Sequence, residues 1–326
     1  MMPMKDLQLH NKQRSSSNKL AAFLQNNSFN NLLVLGTWAL GGSHFGLYDT
    51  KEAYRVIAFA YEHGIRQFDC AEFYAKGQSQ HILYKALQVY DPSSYLVFLK
   101  AGLKWQGNRV IHDASHRHIC DTVDKARDIF KKDTLDSVLL HWPDPHLDIR
   151  IACDTLSQLK EAGHIMFWGL CNIRHEHLNV IQGYDYDLCQ FHYNLVNQGD
   201  EGLMTSLGDD NKVIYSYSPF EQGLLVNPLY SQSYLFSKKD VRNRNPCFFD
   251  AEIKKKLEGL FSLDTAGFSY TNCLLYWLLE KSFLDSVIVG ARYVNHMHDI
   301  CKILTLSKSE QERLSSSLFY RALDSF

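Results

Sequence analysis

No run of this sequence approaches the ~20 apolar residues that a membrane-crossing helix needs, so no membrane partner is expected. No long block of lysine or arginine is present either. With 34 Lys+Arg against 36 Asp+Glu, the formal net charge of -2 offers no field for a polyanion, and nucleic acid is excluded as a partner. The eight cysteines, Cys70, Cys120, Cys153, Cys171, Cys189, Cys247, Cys273 and Cys301, include no CxxC pair. Several sit in apolar runs such as YDLCQFHY, where a reduced cysteine acts as a small core residue; a reducing, cytoplasmic setting follows. The opening MMPMKDLQLHNKQRSSSNKLAAFL lacks the apolar core of a secretory signal, and residues 1–25 read as a flexible polar leader. No GxGxxG follows the first apolar run, which counts against an open dinucleotide-binding sheet.

What is present is an alternation. Short apolar runs occur at Leu32–Gly36, Arg66–Cys70, Tyr95–Ala101, Asp136–His141, Met166–Leu170, Asp187–Phe191, Lys212–Tyr217 and Asp285–Gly290. They read as strands buried on both faces, as parallel strands are. Between them lie helical patterns at Thr50–His63, Ser79–Gln88, His118–Lys131, Ile149–Ala162, Glu176–Gln182 and Thr271–Leu279, the first with Thr50 as N-cap and Gly64 as its stop. Eight strand–helix units in 326 residues predict one domain, a (β/α)8 TIM barrel over residues 26–326. Phe220–Asp250 follows the seventh strand as a long loop on the catalytic face, a lid or cofactor clasp.

Strand ends of a barrel share one mouth, so polar residues there converge although distant in sequence. Asp69 ends the second run, Tyr74 follows in its loop, Lys100 ends the third and His141 the fourth. A lysine inside VFLKAG needs an anion, and Asp69 is the candidate. A free tyrosine titrates near ~10, and an adjacent ammonium lowers that value, giving a general acid for a developing alkoxide. His141 would orient the substrate oxygen. Trp38 and Trp105 are expected to wall the substrate pocket with Tyr74 and His141. His112, His116 and His118 read as a histidine-rich surface loop, and no metal is expected.

With these residues in view, the sequence resembles the aldo-keto reductase superfamily over about Leu32 to Leu304. GIRQFDCAEFYAKGQSQHILYKAL resembles the signature with Asp and Tyr five residues apart, LVFLKAG supplies the lysine and LDSVLLHWPDP the histidine. The resemblance implies catalysis by Asp69, Tyr74, Lys100 and His141. It also implies a cofactor site. GTW (Gly36, Thr37, Trp38) and Asp69 lie near its start, and GLCNI supplies Cys171 and Asn172, which with Gln190 hold the nicotinamide carboxamide. In YSPFEQGLL, Tyr217 stacks on the ring while Ser218, Gly223 and Leu224 hold the pyrophosphate; Gly290 and Arg292 begin the adenosine-phosphate loop. Arg292 suits a 2′-phosphate, so NADP(H) is favoured, with NAD(H) the alternative. Cys171 stands where the family has serine, and Gln80 where it has glutamate. The implied activity is interconversion of a small-molecule carbonyl and its alcohol. Two rivals keep the same residues: a cofactor-binding regulatory or scaffold barrel, and a biosynthetic member acting on a sugar or natural product.

Overall fold

The computed structural model describes residues 18–26, 32–41, 48–230, 236–238 and 240–326. Eight parallel strands close into a barrel: β1 Leu33–Gly36, β2 Gln67–Ala71, β3 Leu96–Ala101, β4 Leu135–Leu140, β5 Ile165–Cys171, β6 Leu188–His192, β7 Val213–Tyr217 and β8 Ser286–Gly290. Each pairs with the next in sequence, and β8 returns to β1 through Leu33↔Val287 to Gly36↔Gly290. Each differs from its sequence expectation by a residue or two at most, because burial on both faces leaves an apolar run with sharp polar ends. The β5–β6 seam needs a glycine. A Cβ on Gly169 would lie 2.3 Å from the Leu188 carbonyl oxygen, well inside contact distance.

Between the strands run α2 (Thr50–Glu62), α3 (Gln78–Leu87), α4 (His116–Phe130), α5 (Ile149–Glu161), α6 (His175–Ile181), α7 (Glu201–Asp209), α8 (Ala251–Phe261) and α9 (Tyr270–Leu279), and α10 (Val294–Lys302) follows β8. Capping sets their ends. Asp49, not Thr50, caps α2 by accepting from the Lys51 amide, and Gly64 follows its end at φ +93°. Ser115 caps α4. His116 and His118 therefore sit in a helical first turn, while His112 ends a hairpin of Leu103–Gln106 and Arg109–His112 after β3. These three do not form the expected surface loop.

A second difference concerns the leader. Residues 1–17 lie outside the described residues, but Lys19–Asn26 form a helix, α1, that closes the barrel end opposite the strand C-termini. Its Leu20 and Leu24 are buried with Val34, Leu96, Phe167 and Val213, and the Phe23 ring meets Phe167 edge-on at 5.5 Å. The Asn18 amide donates to the carbonyls of Asp187 (2.9 Å) and Asn211 (2.8 Å), just ahead of β6 and β7. The apolar floor of a barrel needs a cover. The spacing of Leu20, Phe23 and Leu24 supplies one helix face for it.

Candidate active site

Strand alternation aims the polar residues. Phe98, Leu139, Phe167, Leu188 and Tyr215 fill the barrel interior. Lys100, His141, Cys171, Gln190, His192 and Tyr217 lie at even steps toward the C-terminal ends, so they share that inner face at the mouth. Parallel register sets Asp69 level with Gly36 on one side and Phe98 on the other.

The centre is an ion pair between the Lys100 ammonium and Asp69 Oδ1, with the two residues 5% and 2% exposed. Gln190 Nε2 donates to the other Asp69 oxygen at 3.0 Å, and the Cys171 thiol reaches Gln190 Oε1 at 3.5 Å. Thr37 is tied to the Asp69 carbonyl by its amide (2.9 Å) and its hydroxyl (3.0 Å), and to Ser79 at 2.6 Å. Tyr74 is 8% exposed, and the Lys100 ammonium lies 5.3 Å from its ring centre. Ala75, Lys76 and Gly77 follow at φ +50°, +55° and +87°, a tight left-handed run that turns the chain directly after the tyrosine.

The electrostatics differ from the sequence expectation at one point. Burial raises the Tyr74 phenol above its usual value; the Lys100 charge and a hydrogen bond from it pull down, Asp69 pushes up, and the net direction is up. The tyrosine is therefore a protonated phenol rather than a resting phenolate. For Lys100, burial works against the charge, but Asp69 and Tyr74 outweigh it and the ammonium is held above its usual value. Burial, then Lys100, then His112 drive His141 well below the usual imidazole range, so its ring is neutral. Burial also raises the Cys171 thiol well above normal, which leaves it a poor nucleophile.

Around this centre the rings close up. Phe73 lies 4.9 Å from Tyr74 and 5.1 Å from His141, and Trp38 is 6.5 Å from Tyr74. Trp105, on the hairpin, donates its indole N–H to the Phe73 carbonyl at 2.8 Å. Asn172, at φ +59°, donates to the His141 carbonyl (2.9 Å) and accepts from the Tyr217 hydroxyl (2.6 Å). The loop after β7 turns through left-handed Ser218, Glu221, Gln222 and Gly223, while the Leu224 side chain is fully buried, leaving only its backbone for a ligand. Beyond Gly290, the Arg292 guanidinium lies 5.1 Å from the Tyr48 ring centre and 5.9 Å from that of Tyr293.

Ser79, His192 and Glu221 belong to this region and were not singled out from sequence. His192 shares the parity of Gln190, a signal that could have found it. Nothing in SPFEQG marks Glu221 as buried.

A barrel with a buried Lys–Asp pair beside a phenol and a neutral imidazole at its C-terminal mouth is the architecture of a carbonyl-acting oxidoreductase. The sequence profile of the Aldo/keto reductase family matches residues 32–318, and the chain belongs to that family. It is 28% identical over 294 residues to aldo-keto reductase YhdN of Bacillus subtilis, covering 87% of this chain and 88% of that protein. It is 25% identical to the NADH-specific methylglyoxal reductase of Escherichia coli, covering 85% and 91%. Among solved structures, the glycerol dehydrogenase AKR11B4 of Gluconobacter oxydans superposes with a TM-score of 0.74 at 25% identity, covering 87% and 90%.

Proposed function

We propose that this oxidoreductase interconverts a small aldehyde or ketone and its alcohol, with NADP(H) preferred over NAD(H). The observation that carries the reading is the buried ammonium of Lys100, held by Asp69 against the Tyr74 phenol.

The residues fit a nicotinamide dinucleotide. Two amides, Asn172 and Gln190, stand at the ends of β5 and β6 in fixed orientations, each with a further N–H and lone pair to offer a carboxamide. The Tyr217 ring beside them supplies a flat face. The left-handed run of the following loop turns backbone groups toward a pyrophosphate. Arg292, flanked by two tyrosines, offers a planar guanidinium to a 2′-phosphate. The bound nicotinamide would exchange a hydride with the substrate carbon.

The chain's own residues handle the proton. Tyr74 donates its hydroxyl proton to the carbonyl oxygen as negative charge develops there, and Lys100 stabilises the phenolate left behind. Asp69 keeps Lys100 charged and aimed. Neutral His141 hydrogen-bonds the same oxygen; its Nδ1 is buried with no partner among the described residues, so one ring nitrogen is uncommitted. Phe73, Trp38 and Trp105 exclude water around the reacting carbon.

Initial rates with NADPH and NADH against a carbonyl panel test this. Arg292→Ala should weaken NADPH binding by about 10- to 100-fold and change NADH binding by less than about threefold. Equal loss for both cofactors would refute the 2′-phosphate assignment. No turnover of any carbonyl or alcohol would refute the enzyme reading.

A further inference from the structure

Outside the catalytic centre, a dense polar cluster surrounds a glutamate in the loop after β7. Glu221 is 2% exposed and sits at φ +44° in a run where Ser218, Gln222 and Gly223 are also left-handed. A buried carboxylate in strained backbone persists only when its surroundings hold it. Three side chains do so. Oε2 accepts from His192 Nε2 at 2.7 Å and Asn194 Nδ2 at 2.6 Å, and Oε1 accepts from Asn245 Nδ2 at 2.6 Å. Asn194 also donates to the Ser218 carbonyl at 2.9 Å, fixing the start of the same loop. One carboxylate thus joins the end of β6, the loop after β7 and the segment before α8.

The cluster reaches the cofactor face through a ring. His192 lies parallel to Tyr217, with centroids 5.3 Å apart and planes at 12°. Tyr217 in turn bonds Asn172, which bonds the His141 carbonyl. A connected path therefore runs from Asn245 through Glu221, His192, Tyr217 and Asn172 to the backbone of His141.

We propose that Glu221 and His192 are positioning residues, a latch that fixes the Tyr217 ring and the left-handed loop together as one cofactor-binding surface. This rests on the proposed nicotinamide reading. The latch acts on cofactor affinity and release, whereas Tyr74, Lys100 and Asp69 act on the proton. Removing Glu221 leaves three donors without their acceptor. Removing the His192 ring uncovers one face of Tyr217 and takes one donor away from the carboxylate.

The test is fluorescence titration and stopped-flow release of NADPH from the full chain, with kcat measured at saturating cofactor. Glu221→Ala should raise the NADPH dissociation constant at least about tenfold, mostly through faster release, while kcat falls less than about threefold. Glu221→Gln, which keeps an oxygen for His192 and Asn194 but sets its NH2 against the Asn245 donor, should recover only part of the affinity. His192→Ala should show the same split, and because that side chain is one-third exposed, it serves if Glu221→Ala does not fold. The double variant should be little worse than either single one, since both break one connection. Unchanged affinity in a folded His192→Ala protein overturns the latch, as does a fall in kcat at unchanged affinity. A wild-type chain that does not bind the cofactor overturns the functional reading instead, a result distinct from either.

Discussion

Replacing Lys100 with methionine removes the ammonium but keeps a stem of similar length. Two consequences follow from the geometry. Asp69, 2% exposed, would retain the Gln190 hydrogen bond at 3.0 Å but lose its counter-charge. Breaking a buried pair in this way costs about 3–5 kcal/mol, a large part of a marginal native stability. Tyr74 would lose the ammonium that stabilises its conjugate base. At the 5.3 Å between the ammonium and the ring centre and an effective dielectric of about 20, that attraction is worth roughly 3 kcal/mol, on the order of a few hundredfold in rate. The assay is kcat at saturating cofactor in both directions across pH, with urea unfolding alongside. Alcohol oxidation should fall on the order of a few hundredfold and its alkaline limb should move to higher pH, because burial then acts on the phenol unopposed. The sign for stability also follows. Lys100 is raised in the folded state, so the pair's contribution is fully present below the unfolded value of about 10.4 and is lost only as pH rises through the folded one. The stability lost in Lys100→Met is therefore measured at about pH 8, well inside that window. A kcat within about threefold of wild type, or an unmoved alkaline limb, would refute the role given to this lysine.

His141 is depressed by burial and by Lys100, so its neutral form is the one the fold accommodates. Folding stability should then fall as pH drops below the unfolded value of about 6.5, by about 2 kcal/mol at pH 5, and His141→Gln should remove that slope in urea titrations. The helix across the barrel floor should matter to stability and not to chemistry. Leu20→Ala, at a fully buried position, should cost about 2–5 kcal/mol in unfolding free energy while leaving kcat at 25 °C unchanged. A cost below about 0.5 kcal/mol would mean that Leu20 behaves as part of a loose leader.

The strands were legible because a parallel strand covered on both faces must be apolar throughout, and that leaves polar punctuation at its ends. The ion-pair logic was legible for a related reason, since a lysine inside VFLKAG has no stable place without an anion and Asp69 is the nearest acid at a strand end. The hairpin of Leu103–His112 was not legible, because most of its exposed residues, Gln106, Arg109 and His112, are polar and its turn carries a left-handed glycine, Gly107. Thr50 and Asp49 are both good caps, and only the backbone at Asp49 decides between them. The floor helix was hidden by the polar residues before it, although LAAFL carries its apolar face. Glu221 and His192 meet across 29 residues and two elements, a distance at which sequence carries no pairing signal. Least legible was the balance at Tyr74. The lysine that lowers the phenol is visible in sequence, but the burial that outweighs it depends on how Phe73, Trp38 and Trp105 pack.

The claim that Tyr74 supplies the proton is tested most directly by single-turnover reduction with Tyr74→Phe, read from cofactor absorbance after loading with NADPH. The expected result is a rate lower by about 10²- to 10⁴-fold, with cofactor affinity within about threefold of wild type. Reduction at the wild-type rate by the folded, cofactor-loaded phenylalanine variant would contradict the account.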